Sequence, residues 1–363
     1  MYLTDKKKKM NYKNNDKKIA SNNKKSVSNK YLILGITVLI AIVGIAVSYP
    51  YIISSNANLD ESSSTEDNSN LLGEWHDIHG VGIFNTNSSN SNNDGSVYLA
   101  THNGLYNKKE NSSWVKVGND KSDLMGFVIN PTKEGVMYSS GHPTNGGNLG
   151  FRMSTDSGKT WQTISSVTDN PIDFHAMSIS PVNNNILYGS PGGGYALFIT
   201  KDEGKTWSAM TSIPSQIVSI AADPLNSNGV YIGTGSGLYY SNNQGNSWKK
   251  IESELIGNSV VTGLGFNQNN ELFAYVMPNT EDASNQNGYI IKSDNSVNNW
   301  AKTNGQIPNV KSAWKFALGQ NGEIYTIVSQ QTSENNDIAS SVYKSIDNGN
   351  SWILEGTNRE QII

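Results

Sequence analysis

Six tryptophans, Trp114, Trp161, Trp207, Trp248, Trp300 and Trp352, follow one another at intervals of 47, 46, 41, 52 and 52 residues. A period of about 40–50 residues is that of a four-stranded sheet unit, which cannot bury its apolar faces alone and is stable only when stacked on copies of itself. Each tryptophan closes a local pattern. Ser154-x-Asp156-x-Gly158-x-x-Trp161 recurs as Thr200-x-Asp202-x-Gly204-x-x-Trp207 and as Ser345-x-Asp347-x-Gly349-x-x-Trp352. Ser241, Asn243, Gly245 and Trp248 keep the frame with an amide in place of the acid, Ser293, Asn295, Val297 and Trp300 keep it loosely, and residues 107–114 keep only the Trp. The hydroxyl and carboxylate suit a tight turn in which side chains accept from backbone N–H groups, the glycine supplies a backbone conformation that other residues resist, and the Trp packs beside the next strand. These aspartates therefore read as structural, not catalytic.

Two further series recur upstream of each tryptophan. The first comprises 77–83, 123–129, 173–179, 216–222, 260–266 and 312–318, runs rich in small apolar residues, as innermost strands crowded around an axis require. The second includes Val97-Tyr-Leu-Ala100, Val136-Met-Tyr-Ser139, Ile186-Leu-Tyr-Gly189 and Val230-Tyr-Ile-Gly233, with the β-branched and aromatic content of strands. Turns such as Asn130-Pro131, Ser180-Pro181 and Asp223-Pro224 separate the two. The expected fold is all-β: a six-bladed β-propeller of four-stranded antiparallel blades over residues 71–363.

The chain ahead of it differs. Residues 1–30 carry ten lysines against Asp5 and Asp16, a net of +8 that leaves −12 for the rest of a chain whose total is −4. Tyr31 to Tyr49 is uncharged for 19 residues, and apolar character continues to Ile53. That predicts one transmembrane helix over 31–53, with a basic cytoplasmic arm on its N-terminal side and Asp60, Glu61, Glu66 and Asp67 outside. Ser55-Asn56-Ala57 loosely fits a signal-peptide cleavage site, but the apolar run exceeds the usual ~7–15-residue signal core, which favours a retained anchor. Residues 54–70, Ser- and Asn-rich, read as a solvated linker. The expected location is a single-pass protein of the cell membrane with the propeller outside. The absence of Cys excludes disulfides, thiolate metal sites and a cysteine nucleophile. No phosphate-binding glycine pattern opens a helix, and the acidic exterior part is unsuited to nucleic acid.

All five histidines fall in the first three units. His79 and His175 share one place near the start of the innermost strand, with Met125 between them, and His102 and His142 each follow the second-strand tyrosine, Tyr98 or Tyr138, by four residues. In an up-and-down blade these positions lie on the face opposite the Trp-bearing turns. Asp77, Asp123 and Asp173 stand two residues before His79, Met125 and His175, so strand alternation puts each Asp on the same side as its own-blade partner. Units four to six have Val218, Thr262 and Trp314 there. Such a group suits a divalent ion, or copper if Met125 joins, and equally suits acid/base chemistry with Asp77, Asp123 or Asp173 as the catalytic carboxylate. The alternative is that each His bonds within its own blade.

The Ser-x-Asp-x-Gly-x-x-Trp frame resembles the Asp-box, or BNR repeat, of sialidase-like and sortilin-like propellers. Asp77-Ile-His-Gly80, Ala100-Thr-His-Asn-Gly-Leu-Tyr106, Asp123-Leu-Met-Gly-Phe127, Ser140-Gly-His-Pro143, Asn148-Leu-Gly150 and Asp173-Phe-His-Ala176 resemble an exported bacterial and archaeal family labelled glycosyl hydrolase, over residues 75–353. The resemblance implies the fold more than a reaction. A sialidase that holds its substrate with three arginines is excluded, because the chain has only Arg152 and Arg359. Three functions stay open: binding of a metal or small ligand on the His/Asp face, hydrolysis of extracellular carbohydrate, and a protein-interaction scaffold of the sortilin type.

Overall fold

The computed structural model describes residues 77–84, 95–110, 112–279, 288–294, 297–319, 322–331 and 338–358. The basic arm, the proposed membrane span, the linker, His76 and Arg359 lie outside the described residues. Within them are six four-stranded antiparallel sheets, each built from strands consecutive in sequence. The innermost strands are Ile78–Ile83, Asp123–Ile129, Phe174–Ile179, Ile217–Ala222, Val260–Phe266 and Val310–Leu318. Each packs on the next, and the sixth packs on the first, so the sheets form a closed six-bladed propeller.

The core explains why the ring closes. Buried residues fall into six clusters, each shared by two adjacent blades. Tyr98, Tyr138 and Tyr188, the aligned second-strand tyrosines, are at most 1% exposed. Truncating a side chain so enclosed costs about 3–5 kcal/mol. Blade 6 ends on its own outer strand, Ile353–Thr357, and is latched to blade 1 there. The Trp114 indole donates to the Glu355 carbonyl at 3.0 Å, and the Lys108 ammonium meets the Glu355 carboxylate at 2.6 Å.

The Trp-bearing turns have the expected local physics. The Ser154 hydroxyl donates to Asp156 Oδ1 at 2.8 Å and accepts from Gly158 N at 2.9 Å, while Asp156 Oδ1 accepts from Thr160 N at 2.9 Å. Thr200/Asp202/Gly204, Ser241/Asn243/Gly245 and Ser345/Asp347/Gly349 repeat the arrangement. In blade 5 the frame differs from the sequence alignment: Asp294, one residue before Asn295, accepts from Asn298 N at 3.0 Å. The turn glycines also set inter-blade distance. Gly204 has φ +89°, and a Cβ there would fall 2.0 Å from Phe151 Cε1 on the preceding blade. The Trp207 indole packs against the same Phe151 ring, with centroids 5.1 Å apart.

Gly204→Ala therefore meets both a left-handed backbone and a collision, whereas Gly257→Ala, at φ +52° with open space around it, meets only the first. Gly204→Ala should be the more destabilising by roughly 1–3 kcal/mol, the usual penalty for overpacking, as read from urea-denaturation midpoints. Equal losses would show that the turn does not set blade spacing.

Candidate functional site

Strand register separates the two faces. Ile78 pairs with Thr101 at one end of blade 1 and Val97 with Lys108 at the other; in blade 2, Asp123 pairs with His142 and Met137 with Ser154. The histidine positions thus lie at the ends of the blades remote from the Trp-bearing turns.

A backbone feature places the side chains there. In every blade the pairing of the first two strands skips a residue, a β-bulge: His79, Met125, His175, Val218 and Thr262 in blades 1 to 5, and both Lys311 and Trp314 in blade 6. A bulge bends its strand, breaks the alternation of side chains and re-aims the extra residue. His79 and His175 occupy bulges; Met125 occupies the third and is buried, 6% exposed.

The bulge also changes the pairing expected from strand alternation. His79 does not meet Asp77 of its own blade but Asp123 of the next, with Nε2 to Oδ1 at 3.3 Å. Asp123 Oδ2 lies 3.0 Å from His102 Nδ1, also on blade 1. Asp173 of blade 3 receives His142 from blade 2, Nε2 to Oδ2 at 3.0 Å, and His175 from its own blade at 2.7 Å, the one alternation-based pair that is present. Asp77 accepts instead from Ser340 Oγ of blade 6 at 3.1 Å. The imidazoles therefore form two groups, His79/His102/Asp123 between blades 1 and 2, and His142/Asp173/His175 around the junction of blades 2 and 3. In each group the potential ligand atoms lie within 4.8 Å of one another.

The two groups differ in how well their atoms are satisfied. His79 and Asp123 approach at 3.3 Å, an ion-pair distance, but His79 Nε2 and Asp123 Oδ1 are both buried without a hydrogen-bond partner. Burial pushes the His79 pKa down against the pull of Asp123 and Asp77, which keeps this imidazole neutral near pH 7. The other group is better satisfied. His142 Nδ1 lies 2.8 Å from the Gly147 carbonyl, and its Nε2 faces Asp173, so both nitrogens sit against acceptors. The Asp173 bond raises the His142 pKa to about 9. Burial opposes ionisation of Asp173, but His142 and His175 together hold its pKa at about 2. Asp173 Oδ1 alone is left buried and unpaired in this group.

Several contributors carry no legible sequence signal. Ser340 meets Asp77 only because the ring closes. The Gly147 carbonyl is a backbone group, hinted at only by the Gly146-Gly147 pair. Gly192 passes so close to His175 that a Cβ there would lie 3.0 Å from its Nε2. Lys315, on the innermost strand of blade 6, reaches past blade 1 to donate to the Phe127 carbonyl of blade 2, and burial lowers its pKa to about 8. Arg152 is committed to Asp120 and lies over Trp161, 5.3 Å from the ring centroid.

The family model for sortilin (neurotensin receptor 3) matches residues 195–351, a stretch that contains none of the histidines or of Asp77, Asp123 and Asp173. No curated protein matches the chain. Among solved structures, a GH74 enzyme from Niastella koreensis superposes with TM-score 0.52 at 19% identity, covering 78% of this chain and 46% of that one. A GH74 xyloglucanase from Xanthomonas campestris gives 0.51 at 15%, covering 77% and 46%. An ancestral GH74 enzyme gives 0.50 at 18%, covering 79% and 39%. The chain spans less than half the length of each, and at these identities the likeness is one of fold.

The His142–Asp173 pair makes stability depend on pH with a definite sign. The His142 contribution is complete below its ordinary pKa of 6.5 and is lost as pH rises through about 9; that of Asp173 is complete above 3.8 and is lost as pH falls through about 2. The urea midpoint should fall between pH 6.5 and 9, and His142→Gln should flatten that fall. A midpoint fall unchanged in His142→Gln would contradict the pairing.

Proposed function

We propose that this chain is an extracytoplasmic propeller, held at the cell membrane by residues 31–53, that binds a divalent transition-metal ion between blades 1 and 2. The observation that carries the reading is the pair His79 Nε2 and Asp123 Oδ1, buried, unpartnered and 3.3 Å apart. Leaving such atoms unsatisfied costs free energy, so native proteins seldom do so without a ligand, water or ion to pair them. A tetrahedral ion with bonds of about 2.0–2.1 Å holds its ligands about 3.3 Å apart. A neutral imidazole is already in the form that ligates. His102, on the second oxygen of Asp123, can either complete the set or orient the carboxylate as an outer partner does. Imidazole and carboxylate suit zinc or copper, and Met125 would favour copper if its thioether joined.

Hydrolysis of extracellular carbohydrate is the second reading. Two-carboxylate glycosidases need an acid that still holds its proton near neutral pH. Asp173, held at about 2, is unsuited to that part, which leaves Asp77 and Asp123. The sortilin-model match supports a protein-interaction scaffold in the half-ring that lacks histidines.

Zinc titration of the full-length chain by calorimetry tests the reading. Binding with Kd in the micromolar range or tighter is expected. His79→Gln and Asp123→Asn, each removing a direct ligand, should weaken it by more than the about 10- to 100-fold typical for loss of an outer-shell partner. No zinc uptake, with cleavage of a glycan panel that Asp123→Asn abolishes, would replace metal binding by hydrolysis.

A further inference from the structure

We infer that the same face carries a second, independent ion site around the junction of blades 2 and 3, formed by His142, Asp173 and His175 and weaker than the first; this rests on the metal-binding reading above. The two groups share no residue and use different carboxylates, so occupancy of one does not consume a ligand of the other. Three features make the second group a site and not only an ion-paired cluster. His142 Nδ1 is directed at the Gly147 carbonyl, 2.8 Å away. With Nδ1 keeping its proton on that carbonyl, an ion that displaces the Nε2 proton shared with Asp173 finds Nε2 as the ligand atom, the arrangement by which outer hydrogen bonds fix metal-binding histidines. Asp173 Oδ1 is buried without a partner, a free lone pair beside the two Nε2 atoms. The Gly192 backbone lies against His175 Nε2, where any side chain would crowd the ligating atom.

The order of affinity follows from what each ion displaces. Between blades 1 and 2, His79 Nε2 and Asp123 Oδ1 lie 3.3 Å apart without a hydrogen bond, so an ion there breaks no hydrogen bond between them. At the second group, contacts of 2.7 and 3.0 Å already join both imidazoles to Asp173 Oδ2, and an ion must part them. A borderline ion such as Zn(II) or Co(II) is the chemistry both groups take.

The full-length chain is stripped with chelator, reloaded with Zn(II), desalted, and its metal content measured by plasma mass spectrometry. Its affinities are then read by titration with Co(II), whose visible spectrum reports coordination. Two equivalents are expected, the tighter at least about tenfold stronger, a difference of about 1.4 kcal/mol. His79→Gln should remove the tighter equivalent and leave the weaker. His175→Gln should do the reverse, and the double variant should bind none. Near-UV circular dichroism confirms that each variant is folded; where His175→Gln is not, His142→Gln takes its place. One equivalent in the wild type, lost in either variant, means a single shared ion and overturns the second site while leaving the metal reading intact. One equivalent lost only in His79→Gln does the same. No metal in the wild type overturns both.

Discussion

A four-stranded antiparallel sheet with apolar side chains on both faces cannot stand alone in water, and the rest of this structure follows from that constraint. Every buried cluster is shared between neighbouring blades, so each blade is completed by the next. The requirement is satisfied for the first and last blades only when the sixth meets the first. The Trp-bearing turns are part of the same packing. Their glycines let one blade approach the preceding one, as Gly204 approaches Phe151.

The face opposite those turns is shaped by a second recurring feature, the bulge where the innermost strand pairs with its neighbour. All six blades have it, but only blades 1 and 3 place histidine there. The carboxylates Asp123 and Asp173 then stand at blade junctions and are reached from the preceding blade. Chemistry on this face is thus a property of junctions between repeats, not of single repeats. At the junction of blades 6 and 1 no imidazole meets the carboxylate among the described residues, and Asp77 accepts instead from the hydroxyl of Ser340 on the third strand of blade 6.

Much of this was legible in the sequence, for reasons of periodicity. Tryptophan spacing set the blade number, and the Ser154/Asp156/Gly158 frame set the turn and the face it occupies. Strand polarity was enough to place His79, His102, His142 and His175 away from the turns. Which Asp each His meets was not legible. Alternation within one strand predicted Asp77 for His79, but a bulge ends alternation at that residue, and the real partner is 44 positions away on another blade. Contacts made by backbone groups or by ring closure, such as Gly147, Ser340 and Lys315, leave no spacing to read. In blade 5, Asp294 and Asn295 are both able to cap the turn, and a one-residue shift between them cannot be settled by pattern.

The central claim is that the buried nitrogen of His79 and the buried oxygen of Asp123 are ligands. X-ray absorption at the zinc edge of the loaded full-length chain addresses this directly. In His175→Gln, which keeps only the site of His79, a first shell of nitrogen and oxygen at about 2.0–2.1 Å with imidazole scattering is the expected result, the zinc being lost when His79→Gln is added. A zinc spectrum of His175→Gln without imidazole scattering, or zinc retained after His79→Gln is added, would contradict it.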